Sequence, residues 1–218
     1  MNITKFGHCC LLLETHEKRI LVDPGRFTNA QNELTDIDII LITHEHADHC
    51  HSESVQKIVE KNPDVVIVTN TSVATLLRSL SIDVYVLEGR DAATITDVAL
   101  EAFDGPHVEI FEDFGIIQNT GYLIENFFFF PGDAYTVPDK SIDVLALPVA
   151  GPWCKISDAI LYAKKVAPKT AFPVHDATLN TDGKAVTYPH FVRELEKEGI
   201  DFVLWEDGTS KEFSGYRK

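Results

Sequence analysis

The chain has 218 residues, 44% of them hydrophobic, enough for one real core and too apolar for a disordered chain. Nineteen Lys and Arg stand against 34 Asp and Glu, a formal charge of −15. An acidic surface repels phosphate backbones, and no run of Lys and Arg makes a local exception, so nucleic acid is not an expected partner. No stretch reaches the roughly eighteen apolar residues of a membrane span, and the start lacks a basic region followed by an apolar run. Cys9, Cys10, Cys50 and Cys154 show no C-x-x-C spacing and read as free thiols in a reducing compartment. The expectation is a soluble, cytoplasmic protein; its oligomeric state is left open.

Three early strands are predicted over "ITKFG", "CCLLLET" and "RILVDP", with Glu17 and Lys18 in a turn. "DIDIILIT" is an apolar run that reads as a buried strand. Beyond it Val55, Ile58 and Val59 recur at helical spacing until "NPD" ends the helix. "VVIVT" is another buried strand. "TSVATLLRSL" reads as a helix with a Thr or Ser cap, and "VYVLE" as a strand. From Ala92 to Glu125 the texture turns to strands: "AATIT", "VALEAF", "NTGYLIE". "FFFF" is short and ends at "PGD", and "IDVLALPV" is again a buried strand. Ser157 is the expected cap of a helix carrying Ile160, Leu161 and Val166. "TAFPV" is a strand. "TYPHFVRELEKEG" reads as a helix with Pro189 in its first turn and Gly199 past its end. "FVLWEDG" and "SKEF" close the chain. Two halves of similar order predict a single α/β domain over 1–218, a four-layer αββα sandwich with helices outside two packed sheets.

One stretch has no packing rationale. "THEHADHC", Thr43 to Cys50, follows a predicted buried strand and holds His44, His46, Asp48 and His49. Two imidazoles and a carboxylate are costly to bury unpaired, and a loop at the end of a buried strand is where α/β proteins place sites. In an extended segment His44 and His46 point to one side, while Asp48 and His49 lie past a turn and reach a second point. His107, Asp133 and His175 each follow another apolar run. Neighbouring strands running the same way would bring all seven together. Imidazole and carboxylate suit zinc first, or manganese or iron, and no Cys-rich structural zinc motif is present. His16, His51 and His190 read as ordinary surface or turn residues. Glu45 and Cys50 are expected to bind nothing.

"THEHADH" resembles the H-x-H-x-D-H signature of the metallo-β-lactamase-fold hydrolases, and the later His, "GD" and His follow in that family's order. "FGHCCLLLET…ILVDPG" and "DVLALPVAG" with "PVH" look most like a small, uncapped branch that includes the ascorbate-phosphate lactonases. The resemblance implies two divalent metal ions. His44, His46 and His107 would hold one, Asp48, His49 and His175 the other, and Asp133 would bridge them. It further implies that Asp23 supports the metal loop and that His8 lies near the pocket. Where flavodiiron relatives carry Glu, this chain has His46, which favours hydrolysis over oxygen reduction. The implied reaction is attack by a metal-activated hydroxide on a small ester, lactone or amide, with Asp48 orienting the nucleophile. Trp153 or Lys155, on the same rim, would contact the small-molecule substrate. The competing readings are a phosphodiesterase of the same fold and a non-catalytic metal-binding module.

Overall fold

The computed structural model describes residues 1–112, 114 and 116–215. The strands are β1 (Asn2–Gly7), β2 (Cys10–Thr15), β3 (Lys18–Val22), β4 (Ile39–Leu41), β5 (Val66–Thr69), β6 (Tyr85–Val86), β7 (Ala92–Ile95), β8 (Val98–Pro106), β9 (Gln118–Ile124), β10 (Phe128–Phe130), β11 (Val144–Pro148), β12 (Thr170–Val174), β13 (Asp201–Phe202) and β14 (Ser210–Glu212). The helices are α1 (Ser52–Lys61), α2 (Thr71–Ser79), α3 (Ile156–Val166) and α4 (Thr181–Glu196). One sheet runs β14-β1-β2-β3-β4-β5-β6 and the other β13-β12-β11-β10-β9-β8-β7.

Strand periodicity explains the layering. Ile39 and Leu41 face the core between the sheets, whereas Ile40 faces the helices. Phe128 and Phe130 point to the same central core and Phe129 points outward. Runs buried on both faces read as continuously apolar, as the sequence does here. On the outside, Val55 and Ile58 of α1 and Val73 and Leu77 of α2 cover Ile40 and Ile67. Ala159 and Tyr162 of α3 and Phe191 and Leu195 of α4 cover Leu145 and Leu147. The result is helix, sheet, sheet, helix. Phe128 and Phe172 stack at 6.0 Å in the central layer. Truncating either to Ala removes about 3–5 kcal/mol, the usual cost of an aromatic lost from a packed core.

Several boundaries differ from the sequence reading. α4 begins at Thr181, six residues before "TYPH", because Asn180 accepts a hydrogen bond from the Gly183 N–H and caps it. Pro189 therefore sits in mid-helix, and "TDGK", which looks like a turn, forms the first turn of the helix. α3 starts one residue before Ser157, with Lys155 at its N-cap, and Leu161 faces solvent at 58% exposure. α2 is capped by Asn70, which accepts from the Val73 N–H. "VYVLE" and "FVLWEDG" contribute only two-residue strands, β6 and β13. They lie beyond the well-paired middle of each sheet, where little backbone is left to pair with. Among the described residues no helix is long and apolar enough to cross a membrane.

Candidate metal centre

The candidate residues converge at the C-terminal ends of β3, β4, β8, β10 and β12. Asp23 follows β3, the His-rich loop follows β4, His107 follows β8, Asp133 follows β10 and His175 follows β12. Three groups of metal-type donor atoms form, each within 4.8 Å mutually: His44, His46, His107 and Asp133, then His8, Asp48, His49 and His175, and then Cys9, His49 and Asp133. The first contains His44, His46 and His107, the second contains Asp48, His49 and His175 with His8 added, and Asp133 stands in the first and the third. Its carboxylate oxygens lie 3.1 Å from His49 Nε2, 3.2 Å from His107 Nε2 and 3.0 Å from His175 Nε2. His44, His49, His107, Asp133 and His175 are buried, whereas His46 and Asp48 are half-buried. The site therefore opens to solvent on the His46–Asp48 side.

Hydrogen bonds on the far side of the rings fix which nitrogen faces inward. The Asp23 carboxylate accepts from the Thr43 N–H at 2.8 Å and the Thr43 hydroxyl at 2.7 Å, and lies 2.6 Å from His49 Nδ1. His49 Nδ1 donates to it, which turns Nε2 toward the centre. Because the Thr43 hydroxyl proton goes to Asp23, its oxygen accepts from His44 Nδ1 at 3.0 Å. His107 Nδ1 donates to the Val108 carbonyl at 2.6 Å. Three imidazoles thus carry their protons outward and present Nε2 to the centre, the arrangement in which outer partners orient metal-binding histidines.

The inward atoms have no partner among the described residues. Nε2 of His44, His49, His107 and His175 and Oδ1 of Asp133 are buried without a hydrogen bond. Leaving one such polar atom unpaired costs about 1–3 kcal/mol, and five in one spot is a penalty the fold must recover. The electrostatics point the same way. Burial opposes charge on His49 and His175, yet the Asp133 carboxylate holds both well above the ordinary imidazole range. Burial would raise Asp133, but His49 and His175 hold it well below the usual carboxylate range. A buried carboxylate that draws positive charge this strongly, ringed by aligned lone pairs, fits a divalent cation.

His8 has the opposite tautomer. Its Nδ1 accepts from the Ala177 N–H at 3.3 Å, so Nε2 carries the proton and donates to Asp48 Oδ2 at 3.2 Å. Burial lowers its pKa to about 4, so it is neutral near pH 7. It offers the site a proton donor where the other rings offer lone pairs. Burial would raise Asp48, but the His175 ring 3.5 Å away and the His8 hydrogen bond hold it well below the ordinary range. Trp153 donates its indole N–H to Asp133 Oδ2 at 3.0 Å and packs 5.7 Å from His107 and 5.4 Å from His175. Glu45 turns away to accept from the Ser72 hydroxyl, and Cys50 packs under the first sheet.

The loops are held by residues with no signature of their own. Asn119 accepts from the Asp133 N–H at 2.9 Å and donates to the Pro131 carbonyl at 2.8 Å. Gly132 between them has φ +66, and a Cβ there would lie 2.2 Å from Asn119 Oδ1. Asn70 and the Thr120 N–H both donate to the Thr43 carbonyl, tying the second sheet to the His-rich loop. A Cβ on Gly25 would sit 1.7 Å from the Asp48 carbonyl oxygen, so the Asp23 loop passes directly beneath. His8, Asp23 and His175 have left-handed backbones at φ 54, 43 and 61. Such strain costs about 1–3 kcal/mol each and collects at functional sites. Asp176 is buried with Lys5 at 3.6 Å and Lys184 at 3.0 Å, anchoring the segment after His175. Cys9, read from the sequence as a free thiol, lies near His49 and Asp133, and burial raises its pKa.

The Beta-lactamase superfamily domain matches residues 2–175, most of the chain and every candidate ligand. The chain belongs to the metallo-β-lactamase-fold metal-dependent hydrolases. It is 35% identical to Protein Rv0786c of Mycobacterium tuberculosis, over 98% of this chain and 100% of that one. It is 29% identical to a UPF0173 metal-dependent hydrolase of Bacillus thuringiensis, over 80% of this chain and 85% of the relative. Among solved structures, a proposed metal-dependent hydrolase from Parabacteroides distasonis superposes with a TM-score of 0.75 at 26% identity, over 92% of this chain and 90% of that one. The two sheets and four helices are those of this fold. The Bacillus and Parabacteroides proteins carry a general metal-dependent hydrolase description, and none of the three singles out the ascorbate-phosphate lactonase branch.

Proposed function

We propose that the protein is a dinuclear metal hydrolase acting on a small ester, lactone or amide in the cytoplasm, with zinc the first candidate metal. The observation that carries this reading is the set of Nε2 atoms of His44, His49 and His107, aimed inward by independent hydrogen bonds from their Nδ1 atoms. His44, His46 and His107 would hold one ion and Asp48, His49 and His175 the other, with the Asp133 carboxylate within 3.2 Å of residues in both sets. Two adjacent cations would lower the pKa of a water and polarise the scissile carbonyl.

The chain's own residues do the rest. Asp48, half-open to solvent, would orient the attacking water. The His8 N–H holds Asp48 Oδ2 in place. The Trp153 N–H occupies one lone pair of Asp133 Oδ2 and fixes that carboxylate. Asp23 keeps His49 in its donor tautomer on the outer side. A net charge of −15 disfavours long nucleic acids as substrates.

The test is a substrate panel run on zinc-loaded protein: p-nitrophenyl esters, γ- and δ-lactones, anilides and bis-p-nitrophenyl phosphate. Turnover of an ester, lactone or amide that vanishes in His46→Ala supports the reading. Turnover of the phosphodiester alone replaces it with the phosphodiesterase, and a metal-replete protein inert to all of them overturns catalysis.

A further inference from the structure

We propose that the cavity beside His107 is a subsite for an apolar substituent of the substrate, an alkyl or aryl acyl group. This rests on the hydrolase reading and adds to it the kind of molecule the site selects. The cavity encloses about 400 Å³, within the range of roughly 300–1,000 Å³ typical of small-molecule sites. Pro106, Val108, Ile116, Tyr135 and Thr136 line it together with His107. Glu109 is the one charged side chain among the described residues of its wall.

The walls are built on the loops that carry the centre. Val108 follows His107 directly, and Tyr135 is two residues past Asp133. The Val108 N–H donates to the Asp133 carbonyl at 2.9 Å, locking the two loops together. A group seated here is therefore held at a fixed distance from the reacting centre. Tyr135 is a fixed wall: its ring packs 5.7 Å from Trp153 and 5.2 Å from Tyr162, and its hydroxyl contacts Cys154 Sγ at 3.5 Å. With that hydroxyl engaged, the side chain offers its ring to a ligand.

The chemistry of the occupant follows from what the wall lacks. Among the described residues no Lys or Arg lines it, so a phosphate or carboxylate would lose hydration without a countercharge and would meet Glu109. An apolar group gains about fourfold in affinity for each methylene it buries. The same loop keeps Phe111 and Phe114 at 68% exposure and Ile116 at 51%.

The test reads binding, independent of turnover. Straight-chain hydroxamates, from acetohydroxamate to hexanohydroxamate, are titrated into the zinc-loaded protein by calorimetry. The hydroxamate head group reports the metal centre and the chain reports the cavity. Hexanohydroxamate should bind at least about tenfold more tightly than acetohydroxamate. Ile116→Asp should cut that ratio to threefold or less, while Val186→Asp, an exposed change on α4, should keep it. If acetohydroxamate binds but the series is flat, or if Ile116→Asp leaves the ratio intact, the subsite is wrong and the metal centre stands. If no hydroxamate binds the zinc-treated protein, the metal centre is wrong and the subsite falls with it. Loss of the ratio through self-association, seen as a dimer by light scattering that Ile116→Asp dissolves, would assign this face to a second copy and overturn the proposal.

Discussion

The two sheets supply the centre in different ways. The first sheet delivers four candidate ligands from one eight-residue loop after β4, braced from below by Asp23 on the neighbouring strand end. The second sheet delivers three ligands singly, from the ends of β8, β10 and β12, each held by its own partner: Val108 for His107, Asn119 and Trp153 for Asp133, and the His8 carbonyl for the His175 backbone. A dense loop is local and its spacing alone carries meaning. A dispersed set works only if a whole sheet is in register, so its geometry depends on packing far from the site. The first sheet should therefore fail through loss of one brace, and the second through loss of one ligand.

The largest effect should come from Asp133, whose carboxylate lies within 3.2 Å of His107 in one set and of His49 and His175 in the other. Asp133→Asn keeps the shape but removes the charge between the two sets. It should reduce kcat/KM by on the order of a thousandfold, several kcal/mol of transition-state stabilisation, with metal content per chain falling as well. Full metal content and undiminished turnover would sever the second sheet from the centre. Next is the brace of the first sheet. Asp23→Asn frees His49 and Thr43 together and should weaken zinc binding by about 10–100-fold, measured by competition with a chromophoric chelator. An unchanged affinity would show that the His-rich loop needs no support from β3.

Trp153→Phe sharpens the comparison on the other sheet. It removes one hydrogen bond to a charged group, worth about 1.5–3 kcal/mol, and should lower kcat by about tenfold or more while the bound metal stays. Metal loss equal to that of Asp23→Asn would make Trp153 a brace of the same kind. The smallest effect is expected at His8. His8→Ala should lower kcat severalfold with KM little changed, and His8→Gln, which can still donate to Asp48, should restore most of it. If zinc stoichiometry drops in both variants, His8 binds metal itself and its tautomer has been assigned the wrong way round.

The contrast between the sheets also explains what could be read from the sequence. The inter-sheet strands were legible because both their faces are buried, so "DIIL", "FFFF" and "VLALPV" stand out as unbroken apolar runs. The H-x-H-x-D-H loop was legible because no folding role accounts for its composition. His107, Asp133 and His175 could be placed only through their order behind apolar runs, and the structure brings them to the same point. Asn119, Asn70, Thr43 and Asp176 were not legible. Their importance lies in which backbone group they reach across the fold, and nothing in their local sequence signals that. The start of α4 was missed for a similar reason, since Asn180 caps a first turn that contains Gly183, a residue that locally suggests a loop. The role of His8 needed a hydrogen bond from Ala177, 169 positions away.

The central claim is that two metal-binding sets share one carboxylate. Calorimetric titration of zinc into metal-free protein tests it most directly, with His46→Ala and His175→Ala run in parallel. The account predicts two equivalents per chain for the wild type, with each variant losing one equivalent and retaining measurable binding of the other. A wild-type stoichiometry of one, or the same single site lost in both variants, would contradict it.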